Sequence, residues 1–276
     1  MNQPHQHPIE RLLQCRGTRI SPFLALIVFA HPLWVLGQPA TSPSSQYLTP
    51  STVSMTLRGP LAALGDRLQA PGKERLTQVG TYTDGKGSQP IRFTWELPGN
   101  VRIDLTGPAA HSIVFNGGTP AATGGSPSSA DDDLMESLAD DRAETLLYGT
   151  HRAGFSIRFL GSRFRTDHGA DKAYAGPYYD ISQTFSPVPV RSDKAQRQKL
   201  YLFDSTTQLL VKTTYQILRD GKTIRVDTAY SGWSKAAGQA VPGQIIRSEN
   251  GVQAFTIVVN SAQIAPAAND ALFAHP

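Results

Sequence analysis

Apolar residues recur at every second position through the C-terminal third of the chain. This period is typical of a strand with one face in a core and the other in water. Asp220-Gly221 and Asn250-Gly251 separate the apolar runs, and both pairs favour the positive φ angles of tight hairpin turns. Residues 198–266 are therefore predicted to form an antiparallel meander, whose apolar face carries Leu209, Val211, Tyr215, Ile217, Ile224, Val226, Tyr230, Phe255, Ile257 and Val259.

The same alternation predicts four strands in the first half of the chain, at residues 75–83, 91–97, 101–106 and 112–116. Strict alternation places apolar side chains on one face and charged side chains on the other. The side chains expected to point inward include Phe93, Trp95, Tyr215, Val226 and Ile257. Those expected to face water include Arg92, Glu96, Lys212, Arg225 and Asp227.

Two helices are predicted from leucines at spacings of three and four residues. The first covers residues 55–69, with Leu57, Leu61, Leu64 and Leu68 on one side, and Gly59-Pro60 places its start near Pro60. The second covers residues 131–148 and turns Leu134, Leu138 and Leu146 toward the sheet. Its polar side, expected in water, carries Asp140, Asp141 and Glu144.

The start of the second helix carries a run of three aspartates, Asp131 to Asp133. Ser128 or Ser129 can cap this helix, and the helix dipole favours anions in the first turn. A calcium site is the alternative, but the run lacks the alternating ligands and central glycine of a calcium loop. Capping is the favoured interpretation. A Gly/Ser/Pro-rich loop precedes the helix, so we expect the helix to act as a displaceable lid.

About eleven strands are predicted in all, four before the long helix and seven after it. At about 4.8 Å per strand the sheet is on the order of 50 Å wide, which is more than two helices can cover. We therefore expect an α+β fold in which a large curved antiparallel sheet forms an open half-barrel around the helices. Residues expected to line a lipid-sized apolar cavity on its concave face are Phe93, Trp95, Ile103, Leu134, Leu138, Tyr215, Val226, Phe255 and Ile257.

The N-terminus has the pattern of an export signal. Three arginines precede an apolar run at residues 22–37, and cleavage is expected before Gln38. An uncleaved anchor is the alternative, but His31-Pro32 interrupts a run too short to span a bilayer easily. The predicted organisation is a signal peptide at residues 1–37, a flexible linker at 38–51 and a single domain at 52–276, without a stable membrane span after cleavage.

Composition narrows the functional classes. The 276 residues are 39% hydrophobic and 17% charged, which suits a packed core. Losing residues 1–37 removes three arginines and one glutamate and lowers the formal charge from +4 to +2, so no nucleic-acid partner is expected. Cleavage also removes Cys15, the single cysteine, which excludes disulfides, thiolate zinc sites and a thiol nucleophile in the mature chain.

No catalytic motif is present. The chain lacks Gly-x-Ser-x-Gly and a metal-binding pair of histidines on one helix face. Asp167-His168 beside Arg163 and Arg165 is explained by strand-end salt bridges. Asp180 and Asp204 would be paired carboxylates only if the fold brought them together. No enzyme activity, metal or cofactor is predicted, and surface or loop positions are expected for His111, His151, His168 and His275.

The order of a helix, four antiparallel strands, a helix and a long meander, behind an export signal, resembles the LolA/LolB-like half-barrels. The closing segment Val241-Pro242-Gly243-Gln244-Ile245, with Asn250-Gly251 and Asn269-Asp270 before Leu272-Phe273, is similar to how many members end. The resemblance covers residues 52–276, with inserted loops at 117–130 and 186–197.

That family carries lipoprotein acyl chains or other lipids across the periplasm. The resemblance implies an exported, non-enzymatic carrier or sensor of an apolar ligand in the periplasm or cell envelope, with a lipid or an acylated protein as partner. The alternative is a cell-envelope interaction module whose concave face is filled by its own side chains and whose partners are envelope proteins.

Overall fold

The computed structural model describes residues 50–65, 67–68, 71–97, 99–107, 110–117, 120–149, 156–164, 178–186, 197–268 and 271–274. The predicted export signal and nearly all of the predicted linker lie outside these residues. So do His151, Arg165, Asp167, His168 and His275.

One antiparallel sheet of twelve strands dominates the described residues. The twelve strands are β1 (Glu74–Asp84), β2 (Gly87–Glu96), β3 (Asn100–Leu105), β4 (His111–Asn116), β5 (Ala121–Ala122), β6 (Ser156–Phe164), β7 (Tyr178–Ser186), β8 (Arg197–Asp204), β9 (Leu210–Arg219), β10 (Lys222–Ser231), β13 (Gln244–Glu249) and β14 (Val252–Pro266). Two further strands, β11 (Ser234–Ala236) and β12 (Gln239–Val241), form a separate hairpin. The order of the twelve strands in the sheet is β5-β4-β3-β2-β1-β14-β13-β10-β9-β8-β7-β6.

The sheet is open, because β5 and β6 at its two ends do not pair with each other. The last strand, β14, lies between β1 and β13 and so joins the two halves of the chain. The α+β class and the large open antiparallel sheet are confirmed. The four strands before the helical segment and the seven after it are present, and the two-residue strand β5 completes the sheet of twelve.

The predicted hairpin turns are confirmed by the backbone. Asp220 and Gly221 have φ angles of 52° and 71°, and Asn250 and Gly251 have 50° and 81°. Both turns therefore use the left-handed conformation that Asn, Asp and Gly tolerate best.

Helix α1 spans Pro50–Leu64, so it starts and ends earlier than the sequence predicted. Pro60 lies inside the helix, not at its start. A proline inside a helix loses one backbone hydrogen bond, and the burial of Leu57 and Leu64 in the main core offsets that loss. Gly65, with a φ angle of 98°, ends the helix by donating its N–H to the carbonyl of Leu61.

The predicted single helix at residues 131–148 is wrong. The structure has helix α2 (Ser129–Met135), a wide π-helical turn (Glu136–Asp140) and helix α3 (Ala143–Gly149). We call these three elements together the cover segment. Ser128 caps α2 through a reciprocal capping box with Asp131, as the capping interpretation predicted.

The cover segment packs its leucines against the sheet as expected, because Leu134, Leu138 and Leu146 are all buried in the main core. The prediction for its polar side is wrong, since Asp140, Asp141 and Glu144 are also buried. The break after the π-helical turn directs Asp141 to polar partners on the sheet, whereas Glu144 binds Arg142 of its own segment and Gln239 of β12.

Two charged residues expected in water are also buried, Glu96 and Lys212. Glu96 accepts a 2.6 Å hydrogen bond from Arg75 Nε. The aromatic ring of Phe273, from a C-terminal 3₁₀ turn (Ala271–Phe273), lies 5.4 Å from the Arg75 guanidinium and helps to cover this pair. Lys212 pairs in the ladder with Leu202, beside a small cluster of apolar side chains outside the main core.

That small cluster corrects one more detail of the meander. Val211 packs with Leu202 and Leu200, whereas Leu210 belongs to the main core. The pairing between β8 and β9 shifts its register after Leu202, so the alternation seen further along β9 does not extend back to Val211.

Candidate functional site

The nine residues predicted to line a cavity are all buried. Seven of them belong to the main core, and Tyr215 and Val226 form an adjacent cluster with Ile217. At these positions the concave face is therefore filled by the side chains of the protein itself.

A cavity of about 250 Å³ opens at one end of the half-barrel, and we call it the mouth cavity. Its apolar wall includes Tyr82, Leu105 and Leu134. The β1–β2 hairpin, the ends of β3 and β4 and the start of α2 meet there. Leu134 is thus a predicted site residue that reaches an open cavity.

Polar side chains stand around the mouth cavity. His111 Nε2 lies 2.7 Å from Asp131 Oδ1, and Asp131 Oδ2 accepts hydrogen bonds from the backbone N–H and the hydroxyl of Ser128. The Tyr82 hydroxyl donates to Asp84 Oδ2 at 3.2 Å. Burial raises the pKa of Tyr82 above its ordinary range, and the negative charges of Asp84 and Asp131 raise this pKa further.

Serine, histidine and aspartate meet at this rim, but their order does not suit nucleophilic catalysis. A catalytic serine gives its proton to the histidine, which the aspartate orients from the other side. Here the Ser128 hydroxyl donates to the carboxylate of Asp131 itself. The arrangement is that of a helix cap with a neighbouring histidine.

A second polar feature lies under the cover segment. Asp141 is 0% exposed and accepts hydrogen bonds from Lys199 Nζ at 2.6 Å, Thr228 Oγ1 at 2.8 Å and the Tyr215 hydroxyl at 3.1 Å. Burial raises the pKa of Asp141, and the nearby Lys199 ammonium opposes that rise. The cover segment is therefore bound to β8, β9 and β10 through one carboxylate.

Arg247 on β13 forms the other half of this buried network. It is 0% exposed, and its Nη2 atom donates to Asp133 Oδ1 at 2.8 Å. Its Nη1 atom donates to the hydroxyls of Ser137 and Tyr215 at 3.2 and 3.1 Å. Burial raises the pKa of Asp133 to about 6, although Arg247 and Arg219 lower it.

A third buried pair lies at the other end of the cover segment. The Arg142 guanidinium binds Glu144 at 3.0 Å and lies 5.3 Å from the ring centroid of Trp95. Gln78 on β1 accepts a further hydrogen bond from Arg142, at 3.2 Å. Ion pairs and hydrogen bonds thus fasten this cover segment to both halves of the sheet.

The sequence contained a signal for this network that the prediction missed. Lys199 alternates with Tyr201 and Phe203 on β8, and Arg247 alternates with Ile245 on β13, so both cations share the apolar face. A charge on an apolar face indicates a buried partner. The partners themselves are 58 and 114 residues away.

Asp204 has a structural role in the β8–β9 connection. Its Oδ1 atom accepts hydrogen bonds from the backbone N–H groups of Thr206 and Thr207. For Asp180 the structure describes the backbone, in β7. Within the described ranges, no group of three His, Cys, Asp or Glu side chains could hold a metal ion. Nor does any described helix have the length and apolar character needed to cross a membrane.

No protein-family model matches the sequence, and no curated protein matches it. Solved structures do match. A domain from Vibrio parahaemolyticus that is described as a protein of outer membrane lipoprotein sorting is 9% identical, with a TM-score of 0.48, over 80% of this chain and 95% of that one.

Two further solved structures match as well. A DUF1329 family protein from Desulfovibrio piger is 12% identical, with a TM-score of 0.49, over 81% of this chain and 97% of that one. A LolA superfamily protein from Nitrosomonas europaea is 12% identical, with a TM-score of 0.43, over 74% of this chain and 91% of that one.

Proposed function

We propose that this chain is an exported, non-enzymatic carrier or sensor that holds the alkyl chain of a lipid or acylated protein in the mouth cavity. The observation that supports the proposal is the cavity itself, which has an apolar wall of Tyr82, Leu105 and Leu134 and a polar rim. Ligand sites are typically apolar cavities with a few polar groups that orient the ligand. Export to the periplasm or cell envelope is the expectation from the N-terminal sequence.

The size of the cavity favours a single alkyl chain. Pockets for small molecules are commonly about 300–1,000 Å³, and the mouth cavity of about 250 Å³ is slightly smaller. Each methylene that leaves water contributes about 0.8 kcal/mol. One chain end is therefore the occupant that the cavity suits best.

Entry through the mouth is favoured over displacement of the cover segment. Exposing three leucines would cost about 5 to 8 kcal/mol, and separating one buried ion pair such as Asp141–Lys199 would cost about 3 to 5 kcal/mol more. Burying an alkyl chain of ten methylenes stabilises the complex by only about 8 kcal/mol. We therefore propose that the cover segment stays in place during loading.

A filled-core interaction module is the second candidate function. The observation that favours it is the burial of all nine predicted cavity residues, which leaves the centre of the concave face packed. Such a protein would bind an envelope protein through its surface and would take up no lipid.

The experiment is to fill the mouth cavity from its rim. Ala130 lines the cavity and is exposed, so Ala130→Trp should block the cavity without disturbing the core. The control is Ala62→Trp, at an exposed position on α1. We expect binding of a fluorescent fatty acid to fall at least tenfold in Ala130→Trp and to stay unchanged in Ala62→Trp.

Native mass spectrometry of protein purified without detergent supplies the second measurement. A co-purified lipid that is absent from Ala130→Trp supports the carrier. No lipid in any variant, together with no uptake of the fluorescent fatty acid, would overturn the carrier proposal and favour the interaction module.

The route of entry has its own test. The hydroxyls of Ser137 in the cover segment and Thr228 in β10 lie 3.5 Å apart, so Ser137→Cys with Thr228→Cys allows a disulfide in the mature chain. Entry through the mouth predicts equal uptake by the oxidised and reduced forms. Uptake by the reduced form alone would show that the cover segment must move.

A further inference from the structure

The rim of the mouth cavity carries two carboxylates and one ammonium. Asp84, from the end of β1, and Asp131, from α2, both line the cavity. Lys86, exposed in the β1–β2 turn, is the lysine that lines it, and His111 is paired with Asp131 at 2.7 Å. A head group at this rim therefore meets two carboxylates, one ammonium and one imidazole.

The carboxylates differ in how their oxygen atoms are used. Asp131 is bound by His111 and by Ser128, which fixes it as the cap of α2. Asp84 accepts from the Lys86 backbone N–H at 2.8 Å through Oδ1 and from the Tyr82 hydroxyl at 3.2 Å through Oδ2. Each carboxylate oxygen can accept two hydrogen bonds, so Asp84 retains acceptor capacity at the cavity wall.

We infer, resting on the proposed function, that the mouth cavity selects amphipaths with a cationic, hydrogen-bond-donating head group such as a primary ammonium, and disfavours anionic ones. An alkyl chain lies against Leu105 and Leu134, and the ammonium at the rim donates to Asp84. A carboxylate or phosphate head in the same place meets two like charges. Burial is the main cause of the raised pKa of Tyr82, and the negative charges of Asp84 and Asp131 raise it further.

The test compares three probes that share one chain length: decylammonium, decanoate and decanol. Binding is measured by isothermal titration calorimetry at low ionic strength. We expect decylammonium to bind at least three times as tightly as decanol and decanoate to bind most weakly. Added salt should narrow the differences, because it screens charges at an exposed rim.

Two charge changes of opposite sign separate electrostatics from damage to the fold. Asp84→Asn keeps an acceptor for the turn and should weaken decylammonium binding about threefold to tenfold, whereas Lys86→Gln should strengthen it by a similar factor. The control is Asp220→Asn, in the β9–β10 hairpin turn, which should change nothing. Decanol binding should change less than decylammonium binding in Asp84→Asn and Lys86→Gln, because decanol carries no charge, and should stay the same in Asp220→Asn.

The outcomes test the proposed function and the head-group preference separately. If none of the probes binds, the proposed function itself fails. If decanol and decanoate bind but decanoate equals or exceeds decylammonium, the proposed function stands and the preference for a cationic head group is overturned. If Asp84→Asn and Lys86→Gln changed decylammonium binding equally, that preference would also be overturned.

Discussion

The buried pair of Asp141 and Lys199 should contribute strongly to stability. Asp141 is 0% exposed, and the Lys199 side chain, at 9% exposed, lies 2.6 Å away. Glu136 is a second carboxylate near Lys199, at 3.5 Å. Removing one partner of a buried ion pair costs about 3 to 5 kcal/mol, because the other charge remains away from water.

We predict that Asp141→Ala lowers the free energy of unfolding by about 3 to 6 kcal/mol. The ion pair accounts for most of this loss, and the Thr228 and Tyr215 hydroxyls, which lose an acceptor, account for the rest. The whole free energy of unfolding of a native protein is only about 5 to 15 kcal/mol. Asp141→Asn, which keeps the shape and one acceptor, is therefore the variant for quantitative work, with an expected loss of about 2 to 4 kcal/mol.

A double-mutant cycle with Lys199→Met tests the physical cause. Each single change leaves one buried charge without its closest partner, whereas the double change removes both. The loss of unfolding free energy in the double variant should therefore be smaller, by about 2 kcal/mol or more, than the sum of the losses in the two single variants. Urea unfolding followed by tryptophan fluorescence and circular dichroism gives the free energies by linear extrapolation.

The matched control is Asp227→Asn on strand β10. Asp227 neighbours Thr228 in sequence, pairs with Arg225, whose side chain is 57% exposed, and accepts a 2.6 Å hydrogen bond from Thr214 that the asparagine oxygen can still accept. An exposed pair is worth about 0 to 1 kcal/mol, so the control should lose no more than that. The buried-pair reasoning would be refuted if Asp141→Asn lowered the free energy of unfolding by less than about 1 kcal/mol. It would also be refuted if the losses of the two single variants in the double-mutant cycle were strictly additive.

Three further outcomes are expected. Trp95→Ala should cost about 3 to 5 kcal/mol in urea unfolding, because the indole is buried under Arg142; a loss under about 1 kcal/mol would mean that the site is not packed. Gly80→Ala should lower the melting temperature while Gly85→Ala lowers it less, since a Cβ at Gly80 would collide with the carbonyl of Val258 and one at Gly85 meets open space; equal shifts would contradict the close approach. Asp133 has a folded-state pKa of about 6, above its unfolded value, so its stabilising contribution is complete below about pH 4 and is lost as pH rises through 6. Relative to Asp133→Asn, the free energy of unfolding of the wild type should fall by about 2 to 3 kcal/mol between pH 4 and 7; parallel pH profiles would contradict this.

Local features of the fold were predictable because they depend on neighbouring residues. The two-residue period gave the strands, since adjacent side chains of a strand point to opposite faces. Asn250-Gly251 and Asp220-Gly221 gave the turns through their backbone preferences. The sequence predicted a cap at Ser128 or Ser129, and Ser128 is the residue that caps α2. These features cover most of the strand bounds and the class of the fold.

The face of the sheet on which a side chain lies was predictable only where the strand pairing has no register shift. Phe93 and Trp95 on β2 are buried as the alternation requires, and the register there runs without interruption. Val211 was assigned to the wrong cluster because a register shift between β8 and β9 interrupts the alternation. Such a shift depends on the partner strand, which the alternation of a single segment does not contain.

The tertiary structure alone decided where the buried charges go and where the cavity lies. Asp141 has the sequence pattern of a wet helix face, yet Lys199, on a strand 58 residues further along the chain, supplies its ion-pair partner. The placement of β14 between β1 and β13 likewise joins distant segments. The mouth cavity exists because four separate elements meet at one end of the half-barrel. Sequence determines local backbone preference through adjacent residues, whereas partner choice across the sheet is determined by the packing of the whole chain.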